Sequence, residues 1–202
     1  SFFSMKAKNN KNGFNYEKFW EQSLSGAVAA KLIMAEIDKS NLDEIFVVGL
    51  LQNIGELILA LSFSDQYEQV LLETSKGEKD VVVLEDQIDG ADHTFIGYEV
   101  AKYWGFPTQL LTPIQYHHCP EDYKGNDNKL KRTINVVYLS GIITNILYSN
   151  KPQKYHQIFL NESKSMLGFD DKIIGKILDL VVSEIAHTAD LFLQRRAESK
   201  RL

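Results

Sequence analysis

The sequence is poor in the features that would identify a secreted scaffold or a nucleic-acid-binding protein. It has one cysteine, Cys119, which excludes an internal disulfide and suits a reducing cytoplasm. The net charge is −5, and the only basic cluster is the C-terminal "QRRAESKR". We therefore expect a cytoplasmic protein with no broad nucleic-acid surface.

No stretch of the sequence predicts a leader peptide or a membrane span. The N-terminus lacks the basic flank and apolar core of a signal peptide. The most apolar stretch, residues 45–61, is shorter than the roughly 20 residues that cross a bilayer, and it contains Gln52, Asn53 and Glu56. We expect a buried central helix there and no membrane partner.

The common motifs of enzymes are also missing. The chain has no P-loop, no GxSxG, no HExxH and no CxxC pattern. Cys119 follows a histidine pair, but no acidic third member of a triad is marked, and a cysteine in a helix-ending turn is the simpler interpretation. Motifs alone therefore predict no catalytic residue and no cofactor.

Helical periodicity, by contrast, extends over nearly the whole chain. Apolar residues recur on one face from Glu17 to Asp38, and Leu42–Leu61 is apolar almost all round, as in a helix surrounded by others. Ser64–Ser75 predicts a shorter helix, and we interpret the "VVVLE" run within Lys79–Ile88 as helix rather than strand. The sequence thus predicts an all-α fold.

Boundary signals divide the second half of the chain into further helices. Asp92 is a predicted N-cap, and Gly105 is a predicted left-handed C-cap that Pro107 follows. A loop is predicted at residues 120–129. The later helices cover Leu130–Tyr148, Tyr155–Leu167 and a long segment after Asp170 or Asp171. We expect residues 1–202 to form a single irregular helical domain that ends in a long helix.

Three histidines could carry chemistry. His93 begins a helix, and His117 and His118 end another, so imidazoles from separate helices could meet near a buried polar pair and bind a metal. Each histidine also has an ordinary interpretation, either in the core or beside a helix C-terminus. Adjacent helical residues point about 100° apart, so one ion would not easily bind both His117 and His118. His156 and His187 are expected on the surface.

Four blocks follow one another in a characteristic order: "FWEQSLSGAVAAKL", "DEIFVVGLLQNIGELIL", "DHTFIGYEVAKYWGFP" and "IQYHH". Together they resemble HDOD domains, the HD-related output domains of bacterial signalling proteins. The resemblance covers about residues 14–120, with 121–202 as following helices. It implies an HD-domain-like irregular helical bundle, related to the HD and HD-GYP metal-dependent phosphohydrolases. The family usually has another helical half upstream, and this chain opens "SFF" without a methionine. We therefore expect a fragment of a longer protein.

The resemblance also implies a metal site that has been lost. The catalytic relatives read "GLLHDIGK", in which the His and Asp bind metal, and Gln52 and Asn53 stand at those two positions here. Gln22 replaces the histidine of the first block. The later aspartate of the relatives would fall near Ser140 or Gly141, where the sequence has no carboxylate. An Asn cannot supply an anionic bridge between two dications, so we expect no metal and no catalytic residue.

The expected vestigial pocket combines these replaced positions with the histidines that remain. Its residues are Gln22, Gln52, Asn53, Glu56, His93, His117 and His118. We expect the amide of Asn53 to hydrogen-bond His93, His117, His118 or an ordered water, because an unsatisfied buried amide costs about 1–3 kcal/mol.

The resemblance favours a non-catalytic output or interaction module of bacterial signal transduction. Its partners would be signalling proteins, with the first and final helices as the expected contact surfaces and the pocket open to a small ligand. One alternative is a degenerate phosphohydrolase that holds a single Zn²⁺ on the surviving histidines and recruits Glu56 as its base. Another is a nucleotide sensor, although the chain offers no arginine cluster to clamp phosphates.

Overall fold

A computed structural model describes residues 13–76, 81–86 and 91–199, with side chains described except at 75–76 and 192–199. Its helices are α1 (Tyr16–Ala35), α2 (Leu42–Leu51), α3 (Ile54–Ser62), α4 (Ser64–Lys76), α5 (Val81–Glu85), α6 (His93–Tyr103), α7 (Thr108–Tyr116), α8 (Asn128–Tyr148), α9 (Pro152–Leu167) and α10 (Asp171–Ser199). A short 3₁₀ turn lies at Pro120–Asp122. These residues contain no strand, so the all-α prediction is confirmed, including the helix at "VVVLE".

Local capping fixes where the site-bearing helices begin and end. The Oδ1 atom of Asp92 accepts hydrogen bonds from the backbone N–H groups of Thr94 and Phe95, at 2.8 and 2.9 Å, and so starts α6 one residue before the site. Gly105 has a φ of 76°. This left-handed conformation often ends a helix, and glycine adopts it without the steric strain that a Cβ would cause. The predicted caps of α6 are therefore both confirmed.

Two hydrophobic clusters hold the helices together. The larger lies among α1, α2, α8, α9 and α10, and the smaller joins the start of α1 to α3, α4 and α5. Between them α6 packs on α3, and α7 packs on α6 and α8. The ends of α5, α6 and α7 therefore meet where the two clusters adjoin.

The predicted helix at Leu42–Leu61 is interrupted, which corrects the expectation of one continuous helix. α2 ends at Leu51, and Gln52 and Asn53 form a turn before α3 begins at Ile54. The backbone of Asn53 has φ −100° and ψ 18°, and its carbonyl accepts the Glu56 N–H at 3.0 Å. An asparagine leaves helical geometry easily because its amide competes for backbone hydrogen bonds.

The apolar stretch Leu42–Ser62 is the one part of the described chain that is long and apolar enough to cross a membrane by length and composition. Core helices of soluble proteins pass the same test, and 44% of the most apolar window is buried here. Its first half packs against α1 and α8 as part of the core.

Candidate functional site

The three histidines that the sequence singled out come together in space. His93 is the first residue of α6, and His117 and His118 directly follow α7. The Nε2 atom of His93 lies 3.3 Å from Nε2 of His117 and 3.1 Å from Nε2 of His118. One nitrogen from each ring lies within 4.8 Å of both others, and His93 and His117 are buried.

His117 and His118 lie close together in space. We expected that one ion would not easily bind both, on the premise that they lie inside a helix, and that premise was wrong. Helix α7 ends at Tyr116, and both histidines lie in the bend beyond it. The angular spacing of 100° applies only inside a regular helix. The bend instead turns both rings toward His93, with their ring centroids 4.4 Å apart.

A buried carboxylate that the sequence analysis missed orients His93. Glu85, the last residue of α5, is fully buried, and its Oε2 atom lies 2.5 Å from Nδ1 of His93. The same oxygen accepts the backbone N–H of His93 at 2.9 Å. The other oxygen accepts the hydroxyl of Tyr67 at 3.0 Å. Glu85 thus holds the ring so that Nε2 points at the two other histidines.

The ring of His117 is oriented by its own helix. Its Nδ1–H donates to the carbonyl oxygen of Ile114 at 2.8 Å, which leaves Nε2 as the nitrogen that faces the cluster. The Oδ1 atom of Asn53 lies 3.0 Å from this Nε2. The prediction that the Asn53 amide contacts one of the histidines is therefore confirmed.

Gln52 points away from the histidines, although it is adjacent to Asn53. Its Nε2 donates to the carbonyl of Gly49 at 2.9 Å and lies 3.5 Å from Oγ of Ser140. Its Oε1 is buried without a hydrogen-bond partner among the described residues. A Cβ added at Gly141 would lie 3.7 Å from that oxygen. The residues at the Gln52 and late-aspartate positions therefore meet each other, away from the imidazoles.

Gln22 belongs to the Gln52 side of the predicted pocket. It is half-buried on α1, one turn before Gly26, where an added Cβ would lie 2.5 Å from Nε2 of Gln52. Within the described chain, the hydrogen bonds of the three histidines do not include Gln22. Of the seven expected residues, the three histidines contact one another or Asn53, whereas Gln52 contacts Gly49 and Ser140.

Burial and charge perturb the titration of the site strongly. Burial alone would lower the pKa of His93, but the carboxylates of Glu85, Glu56 and Asp92 together outweigh it and raise that pKa to about 9. Burial lowers the pKa of His117 well below its usual range, and His118 adds to the effect. Burial likewise lowers the pKa of His118 to about 3. Burial raises the pKa of Glu56, in α3, to about 7, although nearby His93 opposes the rise. The groups share one buried electrostatic network.

The pair of ions bound by the catalytic relatives does not fit these residues. The position of the bridging aspartate is the neutral Asn53, and the side chain of Gln52 is committed to Gly49 and Ser140. The orphaned Oε1 of Gln52 shows that no donor or cation of the described protein meets it. No step through two metals is therefore derived for this chain.

A cavity of about 190 Å³ opens beside His118. Its lining residues are Val82, Asp92, Thr94, Phe95, Gln115, Tyr116, His118, Cys119 and Asp122. Two carboxylates among them favour a cation over a phosphate at this opening. His156 and His187 are exposed elsewhere, as predicted.

Comparisons with known proteins agree with this architecture. The family model of the HDOD domain matches residues 1–120. An HDOD domain protein of unknown function from Geobacter sulfurreducens is 22% identical, with a TM-score of 0.72 over 91% of this chain and 65% of its own. The MmoQ response regulator of Methylococcus capsulatus str. Bath is 22% identical, with a TM-score of 0.66 over 85% of this chain and 64% of its own.

A curated relative covers a smaller part of the molecule. An uncharacterized protein of Treponema pallidum (strain Nichols) is 27% identical over 117 residues, which are 54% of this chain and 22% of that protein. The chain thus spans under a quarter of this relative and less than two thirds of the two solved structures. At these identities the solved structures support the helical fold alone.

Proposed function

Because this chain belongs to the HDOD domain family, we propose that it is a non-catalytic module of bacterial signal transduction that acts by binding signalling proteins in the cytoplasm. A likeness to a protein described as a response regulator supports the signalling context.

The orientation of Gln52 carries this proposal. A two-metal phosphohydrolase needs charged ligands directed into one centre, where the ions stabilise both the attacking and the leaving oxygen. Here the Gln52 amide instead donates to Gly49 and packs against Gly26 and Ser140 in the core. Side chains that once would have faced a shared centre are thus used in packing α2 against α1 and α8.

A degenerate hydrolase is the second candidate, and one observation favours it. Glu56 has a pKa raised to about 7 by burial and interacts with His93 across the site. A base whose pKa lies near the working pH is suited to general base catalysis. Against it stands the Asn at position 53, which contributes no negative charge to a metal-bound nucleophile.

The nucleotide-sensor alternative is disfavoured by the charge of the cavity. Asp92 and Asp122 line the opening next to His118, and its lining residues include no lysine or arginine to bind a phosphate. A phosphate is normally bound by arginine forks or by backbone N–H groups at a helix N-terminus.

Hydrolysis of bis(p-nitrophenyl) phosphate tests the proposal. The tag-free chain would be assayed with Mn²⁺, Mg²⁺ and Zn²⁺ in turn, against each metal ion without protein. We expect rates equal to those of the ions alone, because the described site offers no anionic bridge for a metal pair.

The variants Glu56→Gln and His118→Gln control this assay. A protein-dependent rate that falls at least about tenfold in both variants would replace the proposal with the hydrolase, since general base catalysis contributes a factor of about 10²–10⁴. A rate that survives in both variants would be a contaminant and would leave the module without activity of its own.

A further inference from the structure

We propose that His93, His117 and His118 bind a single divalent ion of the zinc type, with the side-chain oxygen of Asn53 at the fourth corner. The site uses the part of the lost two-metal centre that is still histidine, with Asn53 at the position of the bridging aspartate, and neither Gln52 nor Gln22 takes part in it. It revises the expectation of no metal, because the three imidazoles meet in space and Glu85 orients one of them.

The spacing of the nitrogens matches a tetrahedral ion. Zinc binds imidazole nitrogen at about 2.0–2.1 Å, and the corners of such a tetrahedron lie about 3.3 Å apart. The observed separations of His93 Nε2 from Nε2 of His117 and His118 are 3.3 and 3.1 Å. The remaining edge, between His117 and His118, is within 4.8 Å and closes by a small ring rotation. The cluster already has the geometry of a first coordination shell.

The oxygen of Asn53 completes the same polyhedron. It lies 3.0 Å from Nε2 of His117, again close to the length of a tetrahedral edge. Because Nδ1 of His117 donates to Ile114, its Nε2 carries a lone pair, so two acceptor atoms face each other. A cation bonded to both atoms resolves this contact, as a metal does between its ligands.

The outward nitrogens of two rings have the partners that metal-bound histidines usually have. A ligand histidine commonly donates its second N–H to a carboxylate or a backbone carbonyl, which fixes its tautomer and orientation. His93 meets the Glu85 carboxylate and His117 meets the Ile114 carbonyl. Glu85 is itself fixed by the Tyr67 hydroxyl. Glu85 is thus a positioning residue for the ion and makes no bond to it.

The cavity beside His118 gives the ion a route to the cluster. His118 is half-buried and lines this opening together with Asp92 and Asp122. Negative charge at the mouth of a cavity raises the local concentration of cations. His93 and His117 lie behind His118, where burial protects the bound ion from water.

Metal content after reconstitution is the direct test. The tag-free protein would be stripped with a chelator, incubated with Zn²⁺, desalted and analysed for zinc per chain. We expect about one zinc per chain, and we expect Co²⁺ in the same site to show the intense visible absorption of a tetrahedral ion. An octahedral Co²⁺ spectrum, or zinc well below one per chain, would overturn the site.

Matched variants assign the ion to these residues. Glu85→Gln keeps the size of the side chain and should weaken zinc affinity roughly 10–100-fold. His118→Gln, at the half-exposed ligand, should weaken it more. His156→Gln, an exposed histidine on α9, should leave affinity unchanged. Circular dichroism of each variant would confirm the helical content before titration.

The outcomes separate this site from the proposed function. Zinc binding that His118→Gln leaves intact, in a variant of normal helical content, would place the ion elsewhere and overturn the site. Zinc binding without hydrolysis supports both proposals. Zinc-dependent hydrolysis would support the ion site and overturn the non-catalytic function.

Discussion

Glu56 lies one turn after Asn53, and burial raises its pKa from an ordinary 4.5 to about 7. The folded protein therefore holds this proton more tightly than the unfolded chain does. Its contribution to stability is present below about pH 4.5 and is lost as the pH rises to about 7. Glu56→Gln cannot ionise, so we expect it to exceed the wild type by about 2–3 kcal/mol at pH 8 and to match it near pH 4.5.

Urea denaturation in the presence of a chelator measures this difference at both pH values. Glu21→Gln, an exposed position on α1, is the control for loss of one negative charge. A pH-independent difference for Glu56→Gln would show that its carboxylate stays hydrated in the folded protein.

Asn53 ties the turn after α2 to the end of α7 through its contact with His117. In the metal-free protein the amide can turn so that its NH2 group donates to Nε2 of His117, and Asn53→Leu leaves that buried nitrogen without a donor. We expect a loss of about 1–3 kcal/mol in the free energy of unfolding, measured without metal by chemical denaturation. Stability equal to the wild type would mean that the contact at 3.0 Å contributes nothing in solution.

Glu85 shows why a single sequence did not reveal the whole site. The histidines stood out because imidazole is rare and chemically specific, whereas Glu85 closes the apolar run "VVVLE" and reads as the polar end of a helix. Its partner His93 lies beyond a segment with no periodic pattern, so spacing could not join them. A glutamate at the end of an otherwise apolar stretch is the only signal that pointed toward burial.

Helices α3 and α6 approach each other backbone to backbone at Gly55. A Cβ at this position would overlap the carbonyl oxygen of His93 and would lie 2.9 Å from the backbone nitrogen of Gly97. Backbone atoms cannot rotate away as a long side chain can, so the glycine sets the distance between α3 and the residue that begins α6. The position of His93 thus depends on the lack of a Cβ atom at Gly55.

Gly55→Ala should therefore push α6 away from α3. We expect a destabilisation of about 1–3 kcal/mol, in the range of overpacked cores, and a weaker zinc affinity because His93 moves with α6. Gly175→Ala, near the start of α10, is the control, since nothing lies within 4 Å of its added Cβ. The control should gain about 0.5–1 kcal/mol from helix propensity. Equal effects of both changes in thermal unfolding would contradict the close approach.

The break between α2 and α3 could not be predicted from the spacing of apolar residues. Apolar residues continue at helical spacing across Gln52 and Asn53, so the pattern predicted one helix. The turn accompanies contacts of Gln52 with Ser140 and of Asn53 with His117, which form only in the folded chain. Helix existence followed from the sequence, whereas this boundary followed from tertiary contacts.

At the scale of the whole molecule, α10 completes the larger hydrophobic cluster. It packs along α1 and carries core residues in its first half. Ile174, Ile177 and Val181 are buried, and Lys176 bonds to Glu36 at the end of α1 at 2.6 Å. Farther along, Leu191 is 46% exposed. The first half of the helix therefore holds it to the core, and we propose the second half as a contact surface for other proteins.

Deletion from Gln194 onward should leave the fold intact and test the proposed contact surface. We expect a free energy of unfolding within about 0.5 kcal/mol of the full chain, because the buried residues described for α10 all lie before Gln194. We also expect loss of any signalling partner that binds through the basic end. Deletion from Asp171 onward is the contrasting variant, because it removes the buried residues of α10 and should prevent folding. Partners that still bind the shorter deletion would move the interaction surface to another face.

The two hydrophobic clusters have a consequence for how the molecule opens. Tyr67 belongs to the smaller one and bonds to Glu85, whereas α7 packs on α8, which belongs to the larger. Each cluster can act as its own cooperative unit of local unfolding, visible as two sets of amide-exchange rates. A ligand held by His93 and His117 together would be lost whenever the smaller unit opened. Binding of the ligand would therefore bring the amide-exchange rates of the two regions closer together. The histidine cluster would then couple the unfolding of two foldons.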